Sequence, residues 1–512
     1  MDESQADNSY DVIVVGGGNA ALCSALSAAD QGARVIVFER SPRDQRGGNS
    51  SYTDGLMRFV YDGADDIRAL APDLTDEDMA ISDFGSYTED DFYEDMGRIT
   101  QYRTDPELCE TLITNSRETL MWMRDQGVKF MPDFGRQAYK VDGRFTFWGG
   151  ATVAVTAGGP GLVDALYKAA ERRGITVVYE AWVRRLLSDD EGVHGVDVTL
   201  DGVTRSYFAN SVVLACGGFE ANAQMRAQYL GPGWDLAKVR GSRYNTGDGL
   251  RMALEIGAQP YGHWSGCHSV AWERNATDFG DLALTPQFQR HNYPFAVVVN
   301  SEGKRFIDEG ADFRNYTYAK YGRAVLEQPG QVAWQLFDSK TEHLLRGEYR
   351  MKAVTKVSSD TIEGLAAKLG DELNAQQLVK TVQEFNAAVR DEVPFDPNIK
   401  DGRSADGLDV PRSNWAVKLD TAPYTAYAVT CGITFTFGGV RISDRGQVVD
   451  VNQNVIPGLY AAGEMVGGIF YHNYPGASGL TSGAVFGRLA GRNAAQAALA
   501  STPTLVSEGI AN

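Results

Sequence analysis

Three consecutive glycines followed by an acidic residue about twenty positions later form the clearest chemical pattern in the sequence. Gly16 and Gly18 end an apolar run, and Ala21 places a third small residue in the segment that follows. Glycines at such positions allow a tight turn and a close approach of the backbone to a diphosphate. The N–H groups at the start of a helix favour that anion. Glu39 lies where a carboxylate can accept hydrogen bonds from a ribose, so the pattern predicts a bound adenine dinucleotide.

A strand, a helix and a second strand are needed to position these residues. Residues 12–15 form a short run rich in β-branched side chains, residues 19–31 are mostly small and suit a helix, and residues 34–38 form a second apolar run. Residues 211–219 repeat the pattern of a buried strand that ends in glycines, and residues 456–464 pass from strand to glycine to acid. The chain is therefore predicted to have an α/β fold of the Rossmann type.

The loop after Glu39 contains a second candidate binding segment. Gly47 and Gly48 precede Asn49, Ser50 and Ser51, and this combination can form hydrogen bonds to a flat polar ring. It is also a common composition for a surface turn. Both interpretations remain open from these residues alone.

The composition is that of an ordinary globular protein, with 43% hydrophobic and 22% charged residues. A net charge of −19 would repel nucleic acids and anionic membranes. No apolar run approaches the roughly 20 residues that span a bilayer. The N-terminus is acidic and unlike a secretory signal, and the five scattered cysteines form no metal-binding or redox pair. We therefore expect a cytoplasmic protein without a bound metal, a nucleic-acid partner or a membrane span.

The middle of the chain differs in texture from both ends. From residue 261 to residue 420, aromatic, histidine and arginine residues interleave, and the dinucleotide-type patterns stop before this region and resume after it. We predict a nucleotide-binding domain in two parts, residues 1–260 and 421–512, with residues 261–420 inserted as an α+β substrate-binding cap. A cap of this kind can exclude water from a reacting centre.

Several motifs together resemble the flavoprotein family that contains the fumarate reductase and succinate dehydrogenase flavoprotein subunits. They are GGGNAA, GGNSS, VVLACGGF, NTGDG, EGKRFIDE, FGGV, IPGLYAAGE and the final segment FYHNYPGASGLTSGAVFGRLAG. The resemblance covers nearly the whole chain. Within the family, the final segment and RFIDEGADFRNYTYAKYG are most similar to tricarballylate dehydrogenase. They are also similar to 3-ketosteroid dehydrogenases, which carry Tyr-Pro-Gly at the matching place.

This resemblance implies bound FAD and hydride transfer between a substrate CH–CH bond and flavin N5. In this interpretation, Glu464 can hold a ribityl hydroxyl and the backbone of residues 478–480 can donate to a flavin carbonyl. The expected cofactor-binding residues are Gly16, Gly18, Asn19, Ala20, Glu39, Arg40, Gly48, Asn49, Ser50, Val183, Gly218, Asp248, Gly463, Glu464, Ser478 and Leu480.

The sequence departs from the family at two places. Members of membrane complexes attach FAD through a histidine in the loop that matches residues 46–53, and no histidine is present there. The FAD is therefore expected to be non-covalent. Soluble fumarate reductases use a histidine and an arginine to hold substrate carboxylates where this chain has Phe435 and Tyr474. This difference argues against fumarate itself as the substrate.

Arg314 is the leading catalytic candidate because it lies beside the position of the family's proton-transferring arginine. A guanidinium seldom acts as a base, since its pKa exceeds about 12. It could move a proton only if it is desolvated, or it could bind an anionic substrate. The alternative is a surface ion pair with Glu309 or Asp312.

Tyrosines and histidines supply the other catalytic candidates. The hydroxyl of Tyr474 can stabilise an enolate-like transition state by a hydrogen bond, although the ring could serve only for packing. Tyr316 and Tyr318 are alternative proton carriers, and His472 and His268 can titrate near neutrality. Further pocket candidates that the sequence does not rank are His263, His291, Arg290 and Tyr471.

The leading functional hypothesis is an FAD-dependent dehydrogenase of a small carboxylate such as tricarballylate. A reductase of an enoate or enone, a ketosteroid-type dehydrogenase and a non-catalytic electron carrier are the alternatives. A pyridine-nucleotide disulfide reductase is disfavoured, because the chain has one fingerprint and lacks a redox cysteine pair. With no haem motif or evident second flavin domain, a separate electron acceptor or donor is expected.

Overall fold

A computed structural model describes residues 8–284 and 287–500, so the last part of the predicted domain 421–512 lies outside the described residues. These ranges contain twenty strands and twelve α-helices. The strands, β1 to β20, are Ser9–Val15, Val35–Phe38, Leu56–Met57, Ser82–Asp83, Phe130–Pro132, Ala138–Val141, Arg144–Phe147, Val153–Val155, Thr176–Val178, Trp182–Asp189, Gly192–Leu200, Val203–Leu214, Lys238–Val239, Pro260–Glu273, Val297–Asn300, Ala333–Phe337, Lys356–Ser359, Tyr424–Val440, Gln447–Val449 and Val455–Ala461. The helices, α1 to α12, are Asn19–Asp30, Ala64–Leu70, Asp76–Ala80, Glu89–Ile99, Pro106–Asp125, Gly158–Arg172, Ala223–Met225, Asp248–Glu255, Tyr318–Leu326, Ile362–Leu369, Ala375–Ala388 and Ser478–Ala500.

The first sheet has the parallel centre that the sequence predicts. Strand β1 lies between β12 and β2, β9 extends this side, and β20 pairs with the end of β12, all in parallel. Strands β10 and β11 add an antiparallel edge against the start of β12. The strand predicted within residues 211–219 is the end of a longer strand, β12, which begins at Val203 and ends at Leu214. The predicted α/β class is therefore confirmed.

Helices α1 and α12 pack against each other unusually closely. A Cβ at Gly487 would lie 2.4 Å from the carbonyl oxygen of Ala20, and one at Gly491 would lie 2.0 Å from that of Ser24. Only glycine permits this backbone approach. The small residues of α12 therefore allow this helix to pack closely against α1, the helix of the fingerprint.

A second sheet is organised around the long strand β18. Strand β18 pairs with β13, β14, β16 and β17, and β15 extends the sheet beyond β16. The sequence suggests a pair of helices at residues 361–370 and 374–390, and these segments form α10 and α11. Leu365, Leu378 and Phe385 from these helices are buried in the core that covers one face of this sheet.

This second sheet crosses both boundaries predicted for the cap. Strand β13 precedes residue 261, and β18 begins after residue 420 and continues to Val440. The far end of β18 forms hydrogen bonds with Asn49 and Glu464, which are predicted to bind the cofactor, so one strand contributes to both parts of the molecule. No helix within the described residues combines the length and apolar character that crossing a membrane requires.

Candidate active site

Residues from both sheets line one cavity. The glycine fingerprint after β1 lies at one end, and the aromatic and basic residues of the second sheet lie at the other. Fourteen of the sixteen predicted cofactor residues line this cavity. The other two, Gly218 and Ser478, lie behind the lining: a Cβ at Gly218 would touch the Glu464 carboxylate, and the Ser478 hydroxyl donates to the Pro475 carbonyl at 2.5 Å.

The fingerprint glycines are required by close contacts rather than by flexibility. Gly16 has a φ of +110°, and a Cβ there would lie 2.4 Å from the carbonyl oxygen of Ala215. A Cβ at Gly17 would lie 2.4 Å from Oε2 of Glu39. Helix α1 begins directly afterwards, and Asn19 and Ala20 at its start line the cavity, where the helix N-terminus would stabilise a diphosphate. The backbone N–H of Asn19 donates to Oγ of Ser50 at 3.0 Å.

Glu39 is held in the orientation that a ribose would require. Its Oε1 accepts a hydrogen bond from the backbone N–H of Ser41 at 2.7 Å. Burial raises the pKa of the carboxyl, while hydrogen bonds from Ser41 and Gly17 oppose the rise. A ribose hydroxyl would supply a further donor to this buried acceptor.

Two more predicted residues, Arg40 and Asn19, form contacts near the glycine fingerprint, which we call the cofactor end of the cavity. The Arg40 guanidinium pairs with Asp248 at 2.6 Å and stacks over the Trp182 ring at 4.3 Å. The Asn19 side-chain amide donates to the carbonyl of Leu480 at 2.8 Å and so connects α1 to α12. Trp182 was not predicted, and its cavity-lining ring carries no motif that would identify it. The glycine turn, the Glu39 carboxylate and the cavity are all present, and therefore these residues fit FAD.

A pair of tyrosines forms the centre of the opposite end. The hydroxyls of Tyr318 and Tyr474 share a short hydrogen bond, and burial raises the pKa of both phenols. His268 stacks on Phe435 with ring centres 5.2 Å apart and meets both tyrosines edge-on, at 5.0 and 4.9 Å. All four rings line the cavity. The predicted residues Tyr474 and His268 are thus brought together with Tyr318.

Arg314 also lines the cavity and is not the member of a surface ion pair. Its guanidinium donates to the backbone carbonyl of Arg136 at 2.9 Å, and no carboxylate in the described ranges pairs with it. Glu309 instead binds Arg305 and Arg412, and Asp312 binds Arg98 and Lys400. Burial and the nearby Arg346 and Arg136 lower the pKa of Arg314 to about 10.

Arg240 is the principal residue that the sequence did not suggest. It follows β13, is 6% exposed and lines the cavity. Its Nε is buried without a hydrogen-bond partner, and no carboxylate of the described residues pairs with it. Its charge lowers the pKa of His268 further below the level that burial alone produces. No local motif surrounds Arg240, so only the packing of β13 on β18 could reveal it.

Two predicted catalytic residues lie away from the cavity lining. The Tyr316 hydroxyl donates to Oδ2 of Asp95 at 2.7 Å, beside the buried Arg58. His472 is exposed, and its backbone N–H donates to Nδ1 of His263 at 2.9 Å. Of the unranked candidates, His291 lines the cavity, His263 and Tyr471 do not, and Arg290 is ion-paired with Glu273.

Comparisons with known proteins give this arrangement a context. A family model described as an FAD binding domain matches residues 11–480. The probable fumarate reductase Ifc3 of Shewanella frigidimarina (strain NCIMB 400) is 31% identical over 498 residues, which cover 95% of this chain and 75% of that protein. The 4-oxocyclohexanecarboxylate 2-dehydrogenase of Sinomonas cyclohexanicum is 28% identical, with 95% of this chain and 93% of that protein covered.

A solved structure supports the same fold. The 3-ketosteroid delta1-dehydrogenase from Sterolibacterium denitrificans, in complex with 1,4-androstadiene-3,17-dione, has a TM-score of 0.73 to this chain at 22% identity. The match covers 96% of this chain and all of that one. The predicted similarity to ketosteroid dehydrogenases is confirmed at the level of fold, while the similarity to tricarballylate dehydrogenase stays a prediction. The chain therefore belongs to the FAD-binding family of fumarate reductase and succinate dehydrogenase flavoproteins, and it is an FAD-dependent oxidoreductase that acts on CH–CH groups.

Proposed function

We propose that the enzyme desaturates a C–C bond next to a carbonyl group in a small anionic substrate. The observation that carries this proposal is the Tyr318–Tyr474 hydroxyl pair, with Arg240 and Arg314 lining the same cavity. The tyrosines suit proton transfer at a carbon that a carbonyl acidifies. The two guanidiniums suit binding of negative charge.

Arg240 and Arg314 are buried guanidiniums that lack a carboxylate counterion in the part of the chain that the structure describes. Burying an ion without a partner costs several kcal/mol, so buried charges are normally paired. Neither Arg240 nor Arg314 has a carboxylate partner among the described residues, whereas Arg136 beside them pairs with Asp54 at 2.6 Å. His268 does not share this need, because burial and Arg240 lower its pKa and keep it neutral. A carboxylate on the substrate would supply the missing charge.

FAD supplies the hydride acceptor when it is bound. Removal of a proton from the carbon next to the carbonyl would pass that proton to an oxygen of the tyrosine pair. Since burial raises the pKa of Tyr474, its deprotonated form is a strong base, and the nearby charge of Arg240 opposes that rise. The ring packing of Phe435 and His268 around the pair excludes water from the reacting carbon.

These features favour certain substrates over others. A keto acid or a small polycarboxylate such as tricarballylate offers both a carbonyl and negative charge. The Sinomonas relative is a 4-oxocyclohexanecarboxylate 2-dehydrogenase, and a compound of that name combines a ketone and a carboxylate, which supports this class. A neutral steroid ketone would leave both guanidiniums without a counterion. We further propose that FAD is held without a covalent bond and that the protein acts in the cytoplasm.

Reduction of an enoate or enone is the second candidate, because the Shewanella relative is a probable fumarate reductase. The same residues would then return a proton to the substrate. In either direction a separate electron carrier must exchange electrons with the flavin.

The test is anaerobic flavin spectroscopy with matched substrate pairs. Oxidised enzyme is mixed with cyclic keto acids, their neutral esters, tricarballylate and a steroid ketone, and reduced enzyme is mixed with the unsaturated partners. We expect bleaching by a saturated anionic substrate and at least tenfold slower bleaching by its ester. Bleaching by neutral ketones alone would overturn the assignment of the arginines, and reoxidation without any bleaching would establish the reductase. Acid precipitation that leaves flavin on the polypeptide would contradict non-covalent binding.

A further inference from the structure

A cluster of polar side chains joins the cofactor-binding loop to both sheets. The side-chain amides of Asn49 and Asn245 donate to Oε1 of Glu220 at 2.5 and 2.6 Å. Oε1 of Glu464 accepts from the backbone N–H of Thr436, on β18, at 2.7 Å. The Glu464 carboxyl group is a neighbour of Glu220, because its charge acts on the Glu220 carboxyl group. Asn49 and Glu464 line the cavity, while Glu220 lies behind them.

Two carboxyl groups in contact cannot both be ionised in a buried site, since like charges at hydrogen-bond distance repel strongly. Glu220 is fully buried, and its Oε2 has no donor against it. Burial and the charge of Glu464 raise the pKa of Glu220 well above its ordinary value. Arg226 donates to the backbone carbonyl of Glu220, and no cation among the described residues forms an ion pair with the Glu220 carboxyl group.

We propose that Glu220 is a positioning residue that remains protonated at neutral pH and donates its carboxyl proton to Glu464. This hydrogen bond fixes the Glu464 carboxylate toward the cavity, where a cofactor hydroxyl would bind. The other oxygen of Glu220 holds Asn49, whose amide also donates to the carbonyl of Thr434 at 2.7 Å. Glu220 thereby holds the side chains of Glu464 and Asn49 in place at the cavity, and it connects the first sheet to β18. The inference depends on FAD binding and not on the identity of the substrate.

Glu220→Gln is the decisive variant, because a glutamine amide can still donate to Glu464 and its carbonyl can still accept from both asparagines. Glu220→Leu removes the contacts, and Glu255→Gln is the matched control on an exposed acid. In the wild type, folding takes up a proton above the ordinary glutamate pKa, so its stability falls as pH rises. Glu220→Gln lacks this proton. The ratio of its folding equilibrium constant to that of the wild type should rise about tenfold per pH unit between about pH 5 and 7.

FAD retention and infrared spectroscopy provide independent measurements. At pH 7, Glu220→Gln should retain FAD within about threefold of the wild type, and Glu220→Leu should bind it at least tenfold more weakly. The C=O stretch of a buried protonated carboxyl group should be present in the wild type and in Glu255→Gln and absent in Glu220→Gln. A pH-independent stability ratio, an unchanged infrared band in Glu220→Gln, or loss of FAD from this variant as severe as from Glu220→Leu would each overturn the proposal.

Discussion

The two ends of the cavity differ in the kind of buried polar group that the chain leaves without a partner. At the cofactor end, Glu39, Arg40 and Asn49 all have hydrogen-bond partners within the protein. At the substrate end, several buried polar atoms have no partner, namely Nε of Arg240, Nε of Arg314, both ring nitrogens of His268 and Nε2 of His291. Buried polar groups are normally paired, so the unpaired ones indicate where a ligand completes the structure. Among the described residues, the cofactor end also leaves atoms without a partner, namely Oγ of Ser41, Nε1 of Trp182 and Oε2 of Glu220, but none of them belongs to a cation. The two guanidiniums at the substrate end need an anion.

The largest effect should come from the tyrosine pair. Tyr474→Phe keeps the ring and removes the hydroxyl, and we expect the rate of flavin reduction to fall by about a hundredfold or more, as for loss of a transition-state donor. FAD occupancy should not change, because the cofactor end keeps its contacts. Anaerobic stopped-flow measures the rate, with Tyr471→Phe, a neighbour outside the cavity lining, as the control. Normal reduction by Tyr474→Phe would remove the pair from the mechanism.

Arg314 tests whether the substrate end requires a planar guanidinium. Arg314→Lys should lower kcat/KM for an anionic substrate nearly as much as Arg314→Ala, by about tenfold to a hundredfold, because lysine cannot reproduce a bidentate grip. Arg98→Lys is the control, since its partly exposed ion pairs contribute at most about 1 kcal/mol. Full activity in Arg314→Lys would show that charge alone is enough.

The pH dependence of flavin reduction should report the ionisation of the Tyr318–Tyr474 pair. The base must lose its proton before it can act, and burial raises the pKa of Tyr474 above its ordinary value. Between about pH 7 and 9 the reactive fraction, and with it the rate of dehydrogenation, should rise about tenfold per pH unit. Tyr474→Phe should flatten this profile. A wild-type rate that stays constant over this range is incompatible with a tyrosine base.

A change at the cofactor end should have the opposite signature. Glu39→Arg replaces a hydrogen-bond acceptor with a donor, so the Kd for FAD should rise about tenfold. Enzyme reconstituted at saturating FAD should then be reduced at a normal rate, because the tyrosine pair is untouched. Fluorescence titration of the apoprotein measures the Kd, and Glu171→Arg, on an exposed acid of α6, is the control. Equal Kd values for wild type and Glu39→Arg would remove Glu39 as the ribose acceptor.

The smallest effect is expected at Tyr316, which belongs to neither end of the cavity. Tyr316→Phe should change flavin reduction by less than about threefold, while loss of its hydrogen bond to Asp95 should lower the free energy of unfolding by about 1 kcal/mol. Parallel stopped-flow and denaturant unfolding separate the two readouts. A large loss of rate without a loss of stability would restore Tyr316 as a proton carrier.

The sequence by itself determined the cofactor end. The fingerprint glycines, Glu39 and the strand–helix–strand unit are linked by a fixed spacing, because a strand, a tight turn and a helix leave few alternatives for residues close in the chain. The final strand before Glu464 was recognisable for the same reason. Helices α1, α10 and α11 were predicted within a few residues, since their patterns are local.

The substrate end was decided by the tertiary structure. Tyr316 closes a short turn, and Tyr318 begins α9, so two tyrosines that are almost adjacent in sequence face different surroundings. Arg240 reaches the tyrosine pair only because β13 pairs with β18, which begins almost two hundred residues later. The second sheet contains strands from both sides of the predicted cap boundaries, because β18 pairs with β13, β14 and β16. Contacts between distant segments leave no spacing to detect, and therefore the residues proposed for the chemistry emerge only in the folded chain.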